Sequence, residues 1–213
     1  MHSAAIFVKI LDAEGRHMVQ QVSDSAAAER IRRAAIEAFA ESGYGGTSTR
    51  EITKRLGMSA TAMYPHYRSK EELLFAISLQ GHRAALRVLQ EADEPDADHL
   101  RRLRAVVAAF AGWQAEQRHV ARVVQYELHA LTPEHYRTIV AIRRQTTAVI
   151  AGIVEGGKKS GEFEIDNPDD VVLAISSLCV DVCRWFPSTR HRDPERLAKT
   201  YADLAERMVV GAR

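Results

Sequence analysis

Apolar residues recur along this chain with the three- and four-residue spacing of amphipathic helices. In the first such stretch Ile31, Ala35, Ala38 and Phe39 share one helical face, and Gly43 is placed to end the helix. No stretch alternates convincingly like a strand, so the chain is predicted to be all-α, with about nine helices. The helices are predicted over residues 25–42, 48–56, 60–66, 69–92, 100–110, 120–131, 136–156, 168–186 and 193–208.

Capping residues divide the region before residue 70 into short helices. Ser48 with Glu51, and Ser69 with Glu72, have the spacing of a capping box, which satisfies free amides of a first helical turn. Gly57 supplies a turn between the second and third helices because it adopts positive φ at little cost. Two short helices joined by such a turn are typical of a helix-turn-helix, whose second helix can enter the major groove of DNA.

The charge distribution agrees with that interpretation. The formal net charge of the chain is only +1, yet residues 25–70 hold eight basic and four acidic side chains. A basic segment on a near-neutral body indicates that one part of the molecule faces a polyanion. Chance clustering on a solvated surface is the alternative interpretation.

The predicted third helix combines small residues, which allow close approach to DNA, with polar residues that can reach phosphates. The small residues are Ala60, Thr61 and Ala62, and the polar ones are Tyr64 and His66 in the helix with Tyr67 and Lys70 just after it. Pro65 lies inside this helix, where it removes a backbone donor and disfavours helical geometry at the preceding residue. The direction of the Tyr64 and His66 side chains is therefore open, and Met63 and Tyr67 are predicted to be core residues.

The stretch TSTREITKRLGMSATAMYPHYRSKEELL, residues 47–74, with AAIEAFAESGYGG before it, resembles the DNA-binding domain of the TetR family of bacterial repressors. The resemblance implies an all-helical homodimer with an N-terminal helix-turn-helix domain and a larger C-terminal domain for ligand binding and dimerisation. These domains would be residues 25–70 and 71–213, with residues 71–92 as a linker helix. The implied function is a ligand-responsive repressor that binds a palindromic operator in double-stranded DNA.

The resemblance also assigns DNA contacts to individual positions in the second and third predicted helices and at the start of the fourth. These positions are Thr49, Arg50, Thr61, Ala62, Tyr64, His66 and Lys70. The first two would touch phosphate or a base, and Thr61 and Ala62 would face base edges. The last three would hold phosphates, although His66 fits an intramolecular cap equally well.

Polar groups interrupt the apolar stripes of the C-terminal helices and mark a candidate ligand pocket. Because burial of a lone charge is expensive, Glu127 and Arg143 must pair, reach water or meet a ligand. An ion pair between them is one interpretation, and a polar cavity wall is the other. The candidate ligand-binding residues are Phe110, Trp113, Tyr126, Glu127, Arg143, Thr147 and Trp185.

The C-terminal part of the sequence indicates two partners of the protein, a small-molecule effector and a second protomer. Residues 126–168 are similar to a subset of TetR regulators that control fatty-acid or steroid breakdown, which makes an acyl-CoA a candidate effector. The eighth predicted helix is apolar on nearly every side, so its own body would cover one side and a symmetry mate the other. Cys179 and Cys183 on this helix are predicted to be buried small residues.

The composition is typical of a folded cytoplasmic protein. Hydrophobic residues make up 46% of the chain, and two cysteines are too few for a disulfide framework. No apolar run approaches the roughly 20 residues that span a bilayer, so no membrane partner is predicted. Residues 1–24 are predicted to be a mobile N-terminal extension, and Met1 and Met18 are both candidate starts.

Other function classes have less support. The motifs HExxH, GxSxG, GxGxxG and the P-loop are absent from the sequence, so neither an enzyme nor a cofactor is predicted. A metal-sensing repressor of the same fold stays an alternative, as do a multidrug-sensing repressor, an activator and a relative without DNA binding. The candidate metal ligands would be His119, His129, His135 and Cys179.

Overall fold

Helices build almost all of the molecule. The computed structural model describes residues 6–11, 17–22 and 26–210, the last range with side chains. The all-α prediction is confirmed for this last range, which contains eight α-helices and one 3₁₀ helix, Leu128–Ala130. The α-helices are α1 (Ala26–Gly46), α2 (Thr49–Arg55), α3 (Lys70–Ala92), α4 (His99–Glu116), α5 (Arg118–Tyr126), α6 (Pro133–Ser160), α7 (Pro168–Trp185) and α8 (Pro194–Val209).

Two short strands precede the helices. Strand β1 (Ile6–Leu11) pairs antiparallel with β2 (His17–Val22). This pair was not predicted from the sequence. The run IFVKIL does not alternate apolar and polar residues, although its β-branched residues favour extended backbone. The predicted mobile extension over residues 1–24 includes residues 1–5, 12–16 and 23–24, which lie outside the described residues.

Local signals set the helix ends in the N-terminal head, defined here as residues 26–70. Gly43, with φ 73°, breaks the regular geometry of α1 where the sequence predicts its end. The Ser48 side chain accepts a hydrogen bond from the Glu51 amide at 3.1 Å, and Ser69 accepts one from the Glu72 amide at 3.0 Å. Both predicted caps are therefore formed at the starts of α2 and α3.

The recognition segment, Ser59–Tyr67, forms successive tight turns instead of the regular helix predicted over residues 60–66. Most of its backbone bonds join residues three apart, as from the Ala62 amide to the Ser59 carbonyl (3.0 Å) and from the His66 amide to the Met63 carbonyl (2.9 Å), and the Tyr67 amide closes a single longer turn on the Met63 carbonyl (2.9 Å). Pro65 explains the difference, because it lacks an amide donor and disfavours α geometry at the residue before it.

The recognition segment is anchored on α1 by its buried side. Met63 and Tyr67 are buried, which confirms their prediction as core residues. The buried Arg32 guanidinium donates a hydrogen bond to the Tyr67 hydroxyl at 3.0 Å, and that hydroxyl donates to the Ala28 carbonyl at 3.3 Å. These contacts hold the inner face of the segment in place despite the missing helical hydrogen bonds.

Helix α4 lies at the centre of the C-terminal body, where it packs against α3, α6, α7 and α8. Their shared core is aliphatic and includes Leu89, Leu103, Val107, Ile150 and Ile153. At its edge Arg104 of α4 forms ion pairs with Asp203, at 2.6 Å, and Glu206 of α8. None of the helices between residues 26 and 210 is long and apolar enough to cross a membrane.

The two cysteines lie inside this body as predicted. Cys179 and Cys183 of α7 are buried and form no disulfide. Burial raises the pKa of the Cys179 thiol to about 12 and that of Cys183 to about 11. Both are therefore protonated near neutral pH, which disfavours a redox or metal-binding role.

Candidate nucleic-acid interface and ligand pocket

The outer face of the recognition segment presents several of the predicted DNA contacts. Thr61 is exposed, and half of the Tyr64 surface is accessible (50%). Ala62 and His66 are partly exposed. The Thr61 hydroxyl lies 3.2 Å from that of Ser59, so the neighbouring side chain orients it. The segment therefore projects small and polar groups outward from a firmly packed base.

The first turn of α2 adds two further predicted contacts. Arg50 is exposed and Thr49 is partly exposed at this helix start. The Thr53 hydroxyl donates to the carbonyls of both residues, at 3.1 Å and 3.2 Å, and Thr53 is buried. These two hydrogen bonds fix the first turn of α2 on the buried Thr53 side chain.

Lys70, assigned to a phosphate by resemblance, is directed into the head. Its ammonium group donates hydrogen bonds to the carbonyls of Tyr44 and Thr47, both at 2.8 Å. The same nitrogen lies 4.1 Å from the centre of the Tyr44 ring. Lys70 therefore holds the turn after α1 against the start of α3, and at least two of its three donors are used there.

A cluster of polar contacts joins the start of α3 to the start of α6. The Glu71 carboxylate accepts hydrogen bonds from the Thr132 amide at 2.9 Å and from Nδ1 of His135 at 2.8 Å. The Phe75 and His135 rings stack with their centres 3.7 Å apart. We call these four residues the α3–α6 junction. It ties the end of the head to the helix that carries Arg143.

A cavity of about 240 Å³ lies among α3, α4, α5, α6 and α7. Four of the predicted ligand-binding residues line it: Phe110, Trp113, Arg143 and Thr147. Arg143 forms no ion pair with any other residue among 26–210, so its charge is available to a ligand. The cavity combines apolar walls with a few polar groups, as small-molecule sites usually do.

The other three candidates lie elsewhere. Tyr126 and Glu127 line a second cavity, of about 280 Å³, beside α1. Trp185 packs against Phe186, with ring centres 6.2 Å apart. The predicted ion pair between Glu127 and Arg143 is absent from residues 26–210, since the two side chains line different cavities. The reason is that α5 ends at Tyr126, which breaks the continuous helix predicted over residues 120–131.

The residues predicted from the sequence did not include the polar residues of α3 and α7 that line the 240 Å³ cavity. Nε2 of His82 and the Ser176 hydroxyl are buried and have no hydrogen-bond partner within residues 26–210. Burial, together with the positive charge of Arg143, lowers the pKa of His82 to about 4, against the opposing effect of the Val124 backbone carbonyl. His82 is therefore neutral at pH 7. The sequence signal that could have identified His82 is its helical spacing from Ser78 and Ala85, which lie on the buried face of α3.

Replacement of His82 by Gln should flatten the pH dependence of stability. Between about pH 6.5 and 4 the unfolded chain takes up a proton on this ring while the folded protein does not. Stability must therefore fall as pH falls through this range. We expect the wild type to lose about 3 kcal/mol more than His82→Gln between neutral pH and pH 4 in denaturant titrations. Equal losses in both proteins would contradict the buried, neutral imidazole.

Residues 26–210 contain no group of three or more His, Cys, Asp or Glu side chains suited to a metal ion, so they give no support to the metal-sensing alternative. Two of the candidate histidines have other partners. His135 belongs to the α3–α6 junction, and Nδ1 of His129 lies 3.0 Å from the Tyr126 carbonyl.

A helical head with an outward recognition segment, tied to a helical body with a cavity among its helices, defines a DNA-binding regulator of the ligand-responsive kind. Residues 31–77 match the family of bacterial regulatory proteins called the tetR family. Residues 96–209 match the family described as tetracyclin repressor-like, C-terminal domain. The chain belongs to the TetR family and is a DNA-binding transcriptional regulator.

Three known proteins illustrate the range of similarity. A tetR-family regulatory protein from Rhodococcus RHA1 is 50% identical, with 89% of this chain and 100% of that chain covered and a TM-score of 0.85. The fatty acid metabolism regulator protein of Bacillus subtilis is 25% identical over 82% of this chain and 91% of its own. The structure of AibR with isovaleryl coenzyme A and operator DNA shares the fold, with 21% identity, a TM-score of 0.76, and coverage of 84% and 97%.

Proposed function

We propose that this regulator is a homodimeric repressor that binds a palindromic operator and is released when an acyl-CoA occupies the 240 Å³ cavity. The observation that carries the proposal is the course of α3 and α6. Each helix lines the cavity, with His82 and Arg143 respectively. Each also reaches the end of the head, where Glu71 of α3 contacts His135 of α6. A ligand that moves either helix therefore acts on the head directly.

The two domains that these helices connect have different proposed roles. We assign residues 25–70 to DNA binding and residues 71–213 to ligand binding and dimerisation, with residues 71–92 as the linker. Within the head, Thr61 and Ala62 face base edges, and Arg50, Tyr64 and His66 contact phosphates or sugars. Ligand coupling of ~1–3 kcal/mol between the two sites would lower operator affinity ~5- to 150-fold.

Dimerisation is supported by the apolar surface of α7 and α8. Leu173 is 66% exposed, and Leu178 and Leu204 are also exposed. Large aliphatic side chains on neighbouring helices favour burial against a second protomer, because each buried leucine contributes about 1.5–3 kcal/mol. Twofold pairing through α7 and α8 would present two recognition segments to one duplex.

The effector class rests on the pocket together with the relatives. AibR binds isovaleryl coenzyme A in its solved structure, and the Bacillus subtilis relative regulates fatty acid metabolism. The 240 Å³ cavity lies below the roughly 300–1,000 Å³ of drug-sized sites, which favours a short acyl chain. Arg143 supplies a cation for the thioester carbonyl or a nearby anionic group. The protein would act in the cytoplasm without catalytic activity.

Replacement of Thr61 by Ala tests the DNA-binding assignment. The variant should bind the preferred operator about 5- to 50-fold more weakly, whereas its affinity for random duplex should change little, because a base contact carries sequence information. Fluorescence anisotropy with both duplexes measures the two affinities. A matched variant, Tyr64→Phe, removes a phosphate contact and should weaken both duplexes similarly. Equal losses on both duplexes for Thr61→Ala would contradict base recognition by this residue.

A further inference from the structure

The 240 Å³ cavity opens to the surface between α6 and α7. Three of the residues that line it are exposed, namely Thr147 of α6 with Leu173 and Ser177 of α7. The lining residues that α3, α4 and α5 contribute are buried or only partly exposed. A ligand can therefore keep one end inside the cavity and extend its other end out past Thr147.

An acyl thioester of coenzyme A needs such an opening. The cavity is smaller than the roughly 300–1,000 Å³ of drug-sized sites, and an acyl-CoA adds a pantetheine arm, phosphate groups and adenosine to its acyl chain. The acyl chain suits the apolar walls, whereas the nucleotide must stay outside, because burial of phosphate charge without partners is expensive. The surface beside the mouth is thus the place to look for groups that recognise phosphate and adenine.

A groove of about 500 Å³ lies on the outer face of α6 between Tyr136 and Ala151, and we call it the α6 groove. Arg143 and Thr147 line both the cavity and the α6 groove, so the two are contiguous. The groove is also lined by Arg144, which is exposed, and by Tyr136, whose surface is 46% accessible. No acidic residue among 26–210 lines it. The α6 groove therefore presents positive charge and an aromatic ring beside the cavity mouth.

The side chains of the α6 groove are available to a ligand and suitably spaced for a nucleotide. Neither Arg143 nor Arg144 forms an ion pair with another residue among 26–210. A guanidinium binds phosphate through two parallel hydrogen bonds, and an exposed aromatic ring stacks on a nucleobase. Tyr136 lies two helical turns before Arg143, about 10 Å along the axis of α6. This separation is within the reach of a nucleotide from its phosphates to its base.

We propose that the α6 groove is a nucleotide subsite, in which Arg143 and Arg144 bind phosphates of the effector and Tyr136 stacks on its adenine ring. The acyl chain occupies the cavity, and the pantetheine arm leaves it past Thr147. Since the exposed face of α7 is the proposed dimer surface, the partner protomer covers the α7 side of the mouth and leaves the α6 side open. The inference rests on the proposed function, because it places the remainder of the acyl-CoA.

Three thioesters of one acyl group divide the effector into parts. Butyryl-CoA carries the whole nucleotide. S-butyryl-4′-phosphopantetheine keeps one phosphate and lacks the adenosine. S-butyryl-N-acetylcysteamine keeps only a short piece of the arm and has no charge. Calorimetry measures the binding of each probe to the full-length protein and its variants.

The variants separate the groove from the cavity. Arg144→Gln removes a charge that lines the α6 groove and not the cavity, and Tyr136→Leu removes the aromatic ring. Arg137→Gln is the matched control, because Arg137 is exposed on α6 but lines neither the cavity nor the groove. Phe110→Ala alters the cavity wall and should weaken all three probes. Thermal unfolding and binding to a DNA duplex confirm that each variant is folded.

We expect the wild type to bind butyryl-CoA at least about tenfold more tightly than the N-acetylcysteamine thioester. Arg144→Gln should weaken butyryl-CoA about 5- to 10-fold and leave the N-acetylcysteamine thioester unchanged, because that probe has no phosphate. Tyr136→Leu should weaken butyryl-CoA at least about fivefold and leave the phosphopantetheine thioester unchanged, because that probe has no adenine. Arg137→Gln should bind all three probes as the wild type does.

Equal affinity of the wild type for butyryl-CoA and the N-acetylcysteamine thioester would overturn the nucleotide subsite and leave the acyl cavity intact. So would unchanged butyryl-CoA affinity in both Arg144→Gln and Tyr136→Leu. An equal loss in Arg137→Gln and Arg144→Gln would also overturn it, since the loss would then report only the general charge of α6. If no thioester binds to a wild-type protein that still binds DNA, both the proposed effector class and the subsite are wrong.

Discussion

Lys70→Ala is expected to lower the free energy of unfolding by about 2–3 kcal/mol and to abolish tight DNA binding at physiological temperature. The substitution leaves the carbonyls of Tyr44 and Thr47 without their charged donor and removes the cation from the Tyr44 ring. Hydrogen bonds to a charged group contribute about 1.5–3 kcal/mol. Since they join the turn after α1 to the start of α3, their loss should loosen the whole head.

Lys54→Ala is the matched control for this prediction. Lys54 is exposed at the end of α2, so its replacement removes the same charge from the head with little loss of packing. Urea denaturation gives stability, and DNA titrations at several salt concentrations give the number of phosphate contacts. A Lys70→Ala protein of wild-type stability, with one fewer salt-dependent contact, would show that Lys70 binds phosphate and does not support the head.

Two glycines of α6 should respond in opposite directions to replacement by alanine. A Cβ at Gly157 would overlap the ring of Phe163, which is buried, and the Phe163 amide is bonded to the Gly157 carbonyl at 3.1 Å. The ring therefore has little room to move, and Gly157→Ala should destabilise the protein by about 2 kcal/mol.

Gly152→Ala provides the comparison within the same helix. A Cβ at Gly152 meets no atom within 4 Å, so this variant should gain about 1 kcal/mol from helix propensity alone. Thermal and urea unfolding of the two variants should thus differ by about 3 kcal/mol. Similar stabilities for both would contradict the packing of Phe163 on α6.

Most of the fold could be predicted because its determinants are local. The caps at Ser48 and Ser69 and the break at Gly43 act within one helical turn, so residue spacing alone located them. The sequence predicts that Pro65 disturbs the third predicted helix, but the conformation that the segment adopts instead depends on tertiary contacts. Arg32, from a distant part of the chain, holds the turns of the recognition segment in place through its hydrogen bond to Tyr67.

The ligand pocket was only partly predictable because it depends on how several helices rotate against one another. Arg143 and Thr147 were found as polar residues in an apolar stripe. Glu127 was assigned to the same pocket as Arg143 because nothing in the apolar pattern of residues 120–131 indicated that α5 ends at Tyr126. The roles of Lys70 and Glu71 depend on partners 23 or more residues away, which helical spacing does not reveal.

Two exposed recognition segments are expected to bind one duplex by twofold symmetry. The most direct measurement is selection of bound sequences from random duplex DNA, followed by footprinting and determination of the protein-to-duplex ratio. We expect an inverted repeat with half-site centres about 34–36 Å apart, or a multiple of that distance, and two protomers for each such repeat. Recovery of no preferred sequence, or of a single asymmetric site bound by one protomer, would contradict it.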